Sequence, residues 1–195
     1  MTLNTNGIES SNLADMPASN VAGKRILITG GASGIGAASA LLLASRGAKV
    51  VIGDMAEELG TAVAKQGQDA GNSIIFKKVD VTSGDEVRAL FAFAMETLGG
   101  LDVVVNNAGI DHKPAPMHEL SDEDFDRNIA VNLKGVWRCM RAAVTCMAPN
   151  GGGHVINVAS IAGLRSAPLL SAYSAAKHGV MGLTKSAAHE YARVK

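Results

Sequence analysis

"RILITGGASGIG" runs from Arg25 to Gly36, and its reading decides the fold. Its first five residues form a short, β-branched, almost wholly apolar run of strand length. The next stretch, Thr29–Gly36, places Gly30, Gly34 and Gly36 in the spacing G-x-x-x-G-x-G, and a helix-like segment, Ile35–Arg46, opens on it. A strand that bends on glycine straight into a helix brings unpaired N–H groups and the positive end of the helix dipole to one place. Glycine permits the sharp bend and the close approach of backbone to a pyrophosphate. No Lys-Ser/Thr pair follows the turn, so it is not the phosphate loop of a nucleoside triphosphatase. Taken alone, the turn is also compatible with a plain strand-to-helix connection.

Outward from this stretch the same alternation repeats. Strand-like runs lie at Lys49–Gly53, Ser73–Val79, Leu101–Asn106 and His154–Ala159. Helix-like segments lie between and after them, at Ala56–Ala70, Gly84–Leu98, Asp122–Met147 and Ser171–Arg193. Near-continuous apolar strands suit burial on both faces, and strand–helix alternation predicts an α/β fold with a parallel sheet and right-handed crossovers. Ser121 and the acids after it mark a helix entrance with charges suited to the dipole. The sequence predicts a single domain over 21–195, without internal repeats, and a disordered polar tail over 1–20.

The strand ends carry the candidate ligand groups. Asp54 closes the second strand about 20 residues after the glycine turn, where a carboxylate accepts both ribose hydroxyls of an adenosine. A 2′-phosphate there meets like charge, which favours NAD over NADP; Arg46, just before that strand, is the one compensating cation nearby. Asp80 and Val81 follow the third strand, and "NNAG" (Asn106–Gly109) closes the fourth. Asn107 suits a fixed turn and Gly109 a close approach by a ring, although both also fit ordinary loop chemistry.

Composition narrows the classes. The chain of 195 residues is 47% hydrophobic and has net charge +0, which leaves no electrostatic footprint for nucleic acid or an anionic membrane. Aromatic residues, at 4%, are too few for base-stacking platforms. Cys139 and Cys146 read as buried hydrophobes rather than a disulfide. The histidines are scattered without H-E-x-x-H or Cys-x-x-Cys, so no metal site is expected. No segment has transmembrane length and no signal peptide is visible; a cytoplasmic location is expected.

The remaining motif is "YSAAK", Tyr173–Lys177. Side chains four apart share one helix face. A free phenol titrates near about 10, and an ammonium beside it favours the ionised form, the tuning a general base needs. The same pair elsewhere is ordinary helix surface. With "TGGASGIG", Asp54, Asp80–Val81, "NNAG", Asn132 in "VNLKG" and Ser160 in "NVASIAG" in this order, the sequence resembles the short-chain dehydrogenase/reductase family from Lys24 to about Arg193.

The resemblance implies a Rossmann-type doubly wound sheet of order 3-2-1-4-5 and an oxidoreductase moving a hydride between NAD(H) and a small alcohol or ketone. It implies that Tyr173 exchanges the proton with the substrate oxygen, that Ser160 hydrogen-bonds that oxygen, and that Lys177 holds the nicotinamide ribose and favours the Tyr173 phenolate. Asn132 would hold a water linking Lys177 to solvent. Cofactor contacts are expected from Gly30, Ser33, Gly34, Ile35, Gly36, Asp54, Asp80, Val81, Asn107, Ala108, Gly109, Tyr173 and Lys177. A homodimer or homotetramer through Asp122–Met147 and Ser171–Arg193 is implied as well. His178 is expected to be structural, and Asp111–Leu120 either lines a substrate pocket or merely connects.

The family pattern continues past the last helix with a further strand, a Pro-Gly loop, a lid and a final strand. Their absence from this sequence predicts an unpaired apolar edge at His154–Ala159 and an open nicotinamide side. It leaves a second reading, a shortened chain that binds dinucleotide or assembles with partner chains but turns over poorly.

Overall fold

The computed structural model describes residues 21–192. The expected tail over 1–20 and the end of the expected last helix, from Arg193, lie outside them. Five parallel strands form one sheet: β1 (Arg25–Thr29), β2 (Lys49–Asp54), β3 (Ser73–Lys78), β4 (Val103–Asn106) and β5 (His154–Asn157), in the order β3-β2-β1-β4-β5. The helices are α1 (Gly34–Ser45), α2 (Glu57–Asp69), α3 (Gly84–Leu98), α4 (Asp122–Ile129), α5 (Val136–Met147) and α6 (Ser171–Tyr191). The doubly wound arrangement and strand order expected from the sequence are those observed.

Alternation along the strands divides the core. Ile26, Ile28, Val50 and Ile52 pack on one face against Ala40 and Ala44 of α1 and Ala64 of α2. Leu27, Val51 and Val104 pack on the other against Leu90 and Phe91 of α3 and Cys139 and Ala143 of α5. Cys139 is a core residue whose thiol burial pushes up to about 12, and both cysteines are free.

Three departures from expectation go beyond a single residue among the described residues, each for a tertiary reason. The fourth strand starts at Val103 rather than Leu101, because Asp102 turns aside to bind Arg25: its Oδ2 accepts from the Arg25 backbone N–H at 2.8 Å and its Oδ1 from Nη2 at 2.7 Å. The fifth strand stops at Asn157 rather than Ala159, since the Val158 carbonyl is taken by Lys177 Nζ at 2.8 Å. The single helix expected over Asp122–Met147 is α4 and α5 joined by a π-helical segment, Ala130–Gly135. There Gly135 lies against Val81, 2.9 Å from the point a β-carbon would occupy.

Among the described residues, the sheet face that α1 and α2 cover elsewhere is bare beyond β4. Ile156 is 52% exposed, and β5 pairs there with β4 alone.

Candidate active site

The carboxyl ends of β1, β2, β3 and β4 open on one side of the sheet, and a cavity of about 600 Å³ lies over them. Gly30, Ser33, Gly34 and Ile35 line it from the turn, Asp54 from the end of β2, Asp80 and Val81 from the segment after β3. Asn107, Ala108 and Gly109 line it from the segment after β4. That volume lies within the range of small-molecule sites, roughly 300–1,000 Å³.

The turn is held by its neighbours. Gly30 has φ +67, and a β-carbon on it would stand 2.7 Å from the Ala108 Cα. Asn107 Nδ2 donates to the Gly30 carbonyl at 2.9 Å, so the fourth strand's end fixes the first strand's turn. Gly36 does not line the cavity; it packs under the turn, against the Gly30 carbonyl and Asn107. Asp54 Oδ2 accepts from the Ala32 N–H at 3.0 Å and Oδ1 from the Ala56 N–H at 3.0 Å. Asp80 caps its own turn, with Oδ1 accepting from the Thr82 N–H at 2.7 Å.

The second group of expected residues comes together around α6. Lys177 is 4% exposed. Burial pushes its ammonium below the usual lysine range, and the charge of Asp111 opposes that shift. Nζ donates to the Val158 carbonyl and stands 5.5 Å from the centre of the Tyr173 ring. Tyr173 is half-buried, and its hydroxyl makes no hydrogen bond to the described residues.

Ser160 lies beyond the fifth strand and caps a 3₁₀ turn, Ile161–Gly163, with Oγ accepting from the Ala162 N–H at 3.2 Å. That turn is seated on α6: Ser174 Oγ donates to the Ala162 carbonyl at 2.9 Å, and a β-carbon on Gly163 would meet the Lys177 carbonyl at 2.7 Å.

Asn132 sits fully buried in the π segment. Its Oδ1 accepts from the Ile110 N–H at 2.9 Å, and its Nδ2 donates to the Ile110 carbonyl at 2.8 Å and to Asn128 Oδ1 at 2.8 Å. A β-carbon on Gly109 would stand 2.8 Å from Asn132 Oδ1 and 3.7 Å from Lys177 Nζ. A side chain on Gly109 would therefore press on Asn132 Oδ1. His178 is exposed, with Nδ1 bound to the Ser174 carbonyl.

Two features went unread in the sequence. Asn128 is fully buried and holds the Asn132 amide, and Arg127 lines the cavity beside Val131. The signal was present in "RNIAVN", which repeats a cavity residue and a buried amide four positions apart.

The cavity suits a dinucleotide on the evidence of its own groups. Gly34, at φ +52, faces open space where a β-carbon would stand, leaving backbone N–H groups of the turn approachable. The Asp54 carboxylate, with about four acceptor positions, retains capacity after its two backbone bonds.

The family model described as short chain dehydrogenase matches residues 24–195. The chain belongs to the short-chain dehydrogenase family. Among relatives in this family, a 3beta-hydroxysteroid dehydrogenase of Mediterraneibacter gnavus is 46% identical over 169 residues, 87% of this chain and 61% of that protein. A cis-4-hydroxycyclohexanecarboxylate dehydrogenase of Sinomonas cyclohexanicum is 48% identical over 166 residues, 85% of this chain and 66% of that protein. The chain thus spans less than two thirds of the length of these two relatives. A crystal structure of NAD⁺-bound xylitol dehydrogenase superposes with a TM-score of 0.88 at 29% identity, covering 91% of this chain and 68% of that one.

Among the described residues, no helix is long and apolar enough to cross a membrane.

Proposed function

We propose that the chain carries the dinucleotide site and proton-transfer groups of an NAD-dependent oxidoreductase acting on a secondary alcohol or its ketone, the reacting carbon lying in an alicyclic ring. The observation that carries this reading is the buried Lys177 ammonium beside the Tyr173 ring, with its Nζ 3.7 Å from where a β-carbon on the cavity-lining Gly109 would stand. When bound, the nicotinamide supplies acceptance or donation of the hydride.

The chain's residues do the rest. The Gly30–Gly36 turn and the start of α1 take the pyrophosphate charge. Asp54 accepts the adenosine ribose hydroxyls, and its charge disfavours a 2′-phosphate, which selects NAD over NADP. Asp80, Val81 and Ala108 wall the adenosine side.

Tyr173 takes the proton from the alcohol oxygen on oxidation and returns it on reduction. The Lys177 ammonium favours the phenolate that does this, and two of its three donors remain after the bond to Val158, enough to hold a ribose. Ser160 Oγ already accepts from Ala162, so its O–H is left to donate to the substrate oxygen. Asn132 holds Ile110 under the site, and a water held beside it links Lys177 Nζ to solvent.

Apolar side chains border these groups. Ile161 and Leu164 are each 66% exposed next to Ser160. The Ala115 N–H donates to the Leu169 carbonyl at 3.0 Å, tying the 111–120 loop to the segment that leads into α6. Such walls suit a hydrocarbon ring, and the names of the two relatives above both state a hydroxyl on one.

A second reading rests on the exposed apolar side chain of Ile156 on β5: this span binds the dinucleotide and assembles with partner chains but turns over slowly. NADH fluorescence titration beside a turnover assay with cyclohexanol separates the two. Turnover lost in Tyr173→Phe with NADH binding kept supports the first reading. Saturable NADH binding without turnover supports the second, and no binding of NADH contradicts both.

A further inference from the structure

On the far side of the turn after Asp80, a groove of about 530 Å³ runs between α3 and α5. Three arginines line it: Arg88 from α3, and Arg138 and Arg141 from α5. No acidic residue is among the lining groups. Arg88 Nη1 and Arg138 Nε converge on one point, 3.5 Å and 3.8 Å from where a β-carbon on Gly84 would stand. Two guanidinium groups therefore meet at the N-terminal end of α3, whose first turn also carries Asp85 and Glu86.

Asp85 balances Arg88, but Arg138 has no such partner among the described residues. Arg88 pairs through Nη2 with Asp85, and Arg141 lies over the Trp137 ring, 4.5 Å from its centre. Arg138 makes no hydrogen bond or ion pair with the described residues, and its Nη1 is buried without a partner. A buried guanidinium N–H without an acceptor is uncommon and calls for an unseen water or ion. The other wall is apolar, built by Phe91, Ala92 and Met95.

We infer that this groove is a second ligand site, for a small oxyanion, phosphate or carboxylate, that carries an apolar body. Arg138 and Arg88 take the oxyanion in charge-assisted hydrogen bonds, and the apolar part lies on Phe91 and Met95. The site shares no lining residue with the dinucleotide cavity, and the inference stands whether or not the proposed oxidoreductase activity does.

The test is methionine-methyl NMR of the full chain labelled with [¹³C-methyl]methionine, with the Met95 signal assigned through Met95→Leu. NADH is kept in excess so that the glycine turn does not compete. Phenyl phosphate is the probe, with inorganic phosphate and phenol as separate arms. The expected result is a saturable shift of the Met95 signal with phenyl phosphate, weaker binding of inorganic phosphate, and none of phenol. Arg138→Leu should weaken phenyl phosphate at least about tenfold, and Arg88→Gln serves if that variant does not fold.

No saturable shift, an equal response in both arginine variants, or an equal response to phenol would overturn the inference. So would sedimentation showing the groove closed between two copies of the chain, with phenyl phosphate excluded from it.

Discussion

Asp54 shows how much of a residue's setting only the folded chain reveals. Its place at a strand end suits the ribose acceptor proposed above, and its carboxylate also pins the glycine turn through the Ala32 N–H. Asp54→Asn keeps the size and loses the charge. It should weaken NADH at least about tenfold and shift the NADH/NADPH ratio toward NADPH, as the loss of a charged hydrogen-bond acceptor implies; paired fluorescence titrations measure this. Tyr173→Phe should lower turnover by about 10²-fold or more while the NADH dissociation constant stays within about twofold. Asn128 belongs to a different class. It went unread because an asparagine on a helix gains meaning only from the residue that meets it, here Asn132, and the four-residue spacing in "RNIAVN" is its one local trace. It acts by positioning. Asn128→Leu, close to isosteric, should lower kcat about tenfold through a loosened Asn132–Ile110 contact, with NADH affinity unchanged. A fall in NADH affinity equal to the fall in kcat would make Asn128 merely structural.

At the level of elements, the strands and helices were legible wherever local pattern decides. β1 and β2 are apolar runs buried on both faces, and the Ser121 entrance to α4 does cap that helix, with Oγ accepting from the Asp124 N–H at 3.1 Å. The π segment was not legible, since its register change coincides with tertiary contacts from Ile110 and Val81 that no helical periodicity encodes. The start of β4 was misplaced for a similar reason, the ion pair of Asp102 with Arg25 across 77 residues of sequence. That pair has a pH signature. The Arg25 guanidinium holds the Asp102 carboxyl at about 2, below its ordinary 3.8. A depressed carboxyl contributes stability that is fully present above its unfolded value and lost as pH falls toward the folded one. Asp102 is 27% exposed, which discounts the full linkage energy to about 1–2 kcal/mol. Asp102→Asn should therefore destabilise by about that much at pH 7 in urea unfolding, and the gap to the parent should narrow as pH falls from 4 toward 2.

For the molecule as a whole, the strand order follows from the alternation of elements and the handedness of crossovers, so it was open to sequence reasoning. Among the described residues, that Ile156 is the one left showing on β5 is a matter of register, Val105 being its neighbour on β4. An exposed apolar edge strand invites association, so Ile156→Lys should reduce concentration-dependent light scattering without changing NADH affinity. The central claim, that one rim joins a dinucleotide groove to a phenol–ammonium pair, is tested most directly by a crystal structure of the chain grown with NADH. The account predicts adenosine ribose hydroxyls on Asp54 and the nicotinamide ribose within hydrogen-bond reach of Lys177 and Tyr173. A dinucleotide bound away from Gly30–Gly36, or one whose nicotinamide end lies remote from Tyr173, would contradict it.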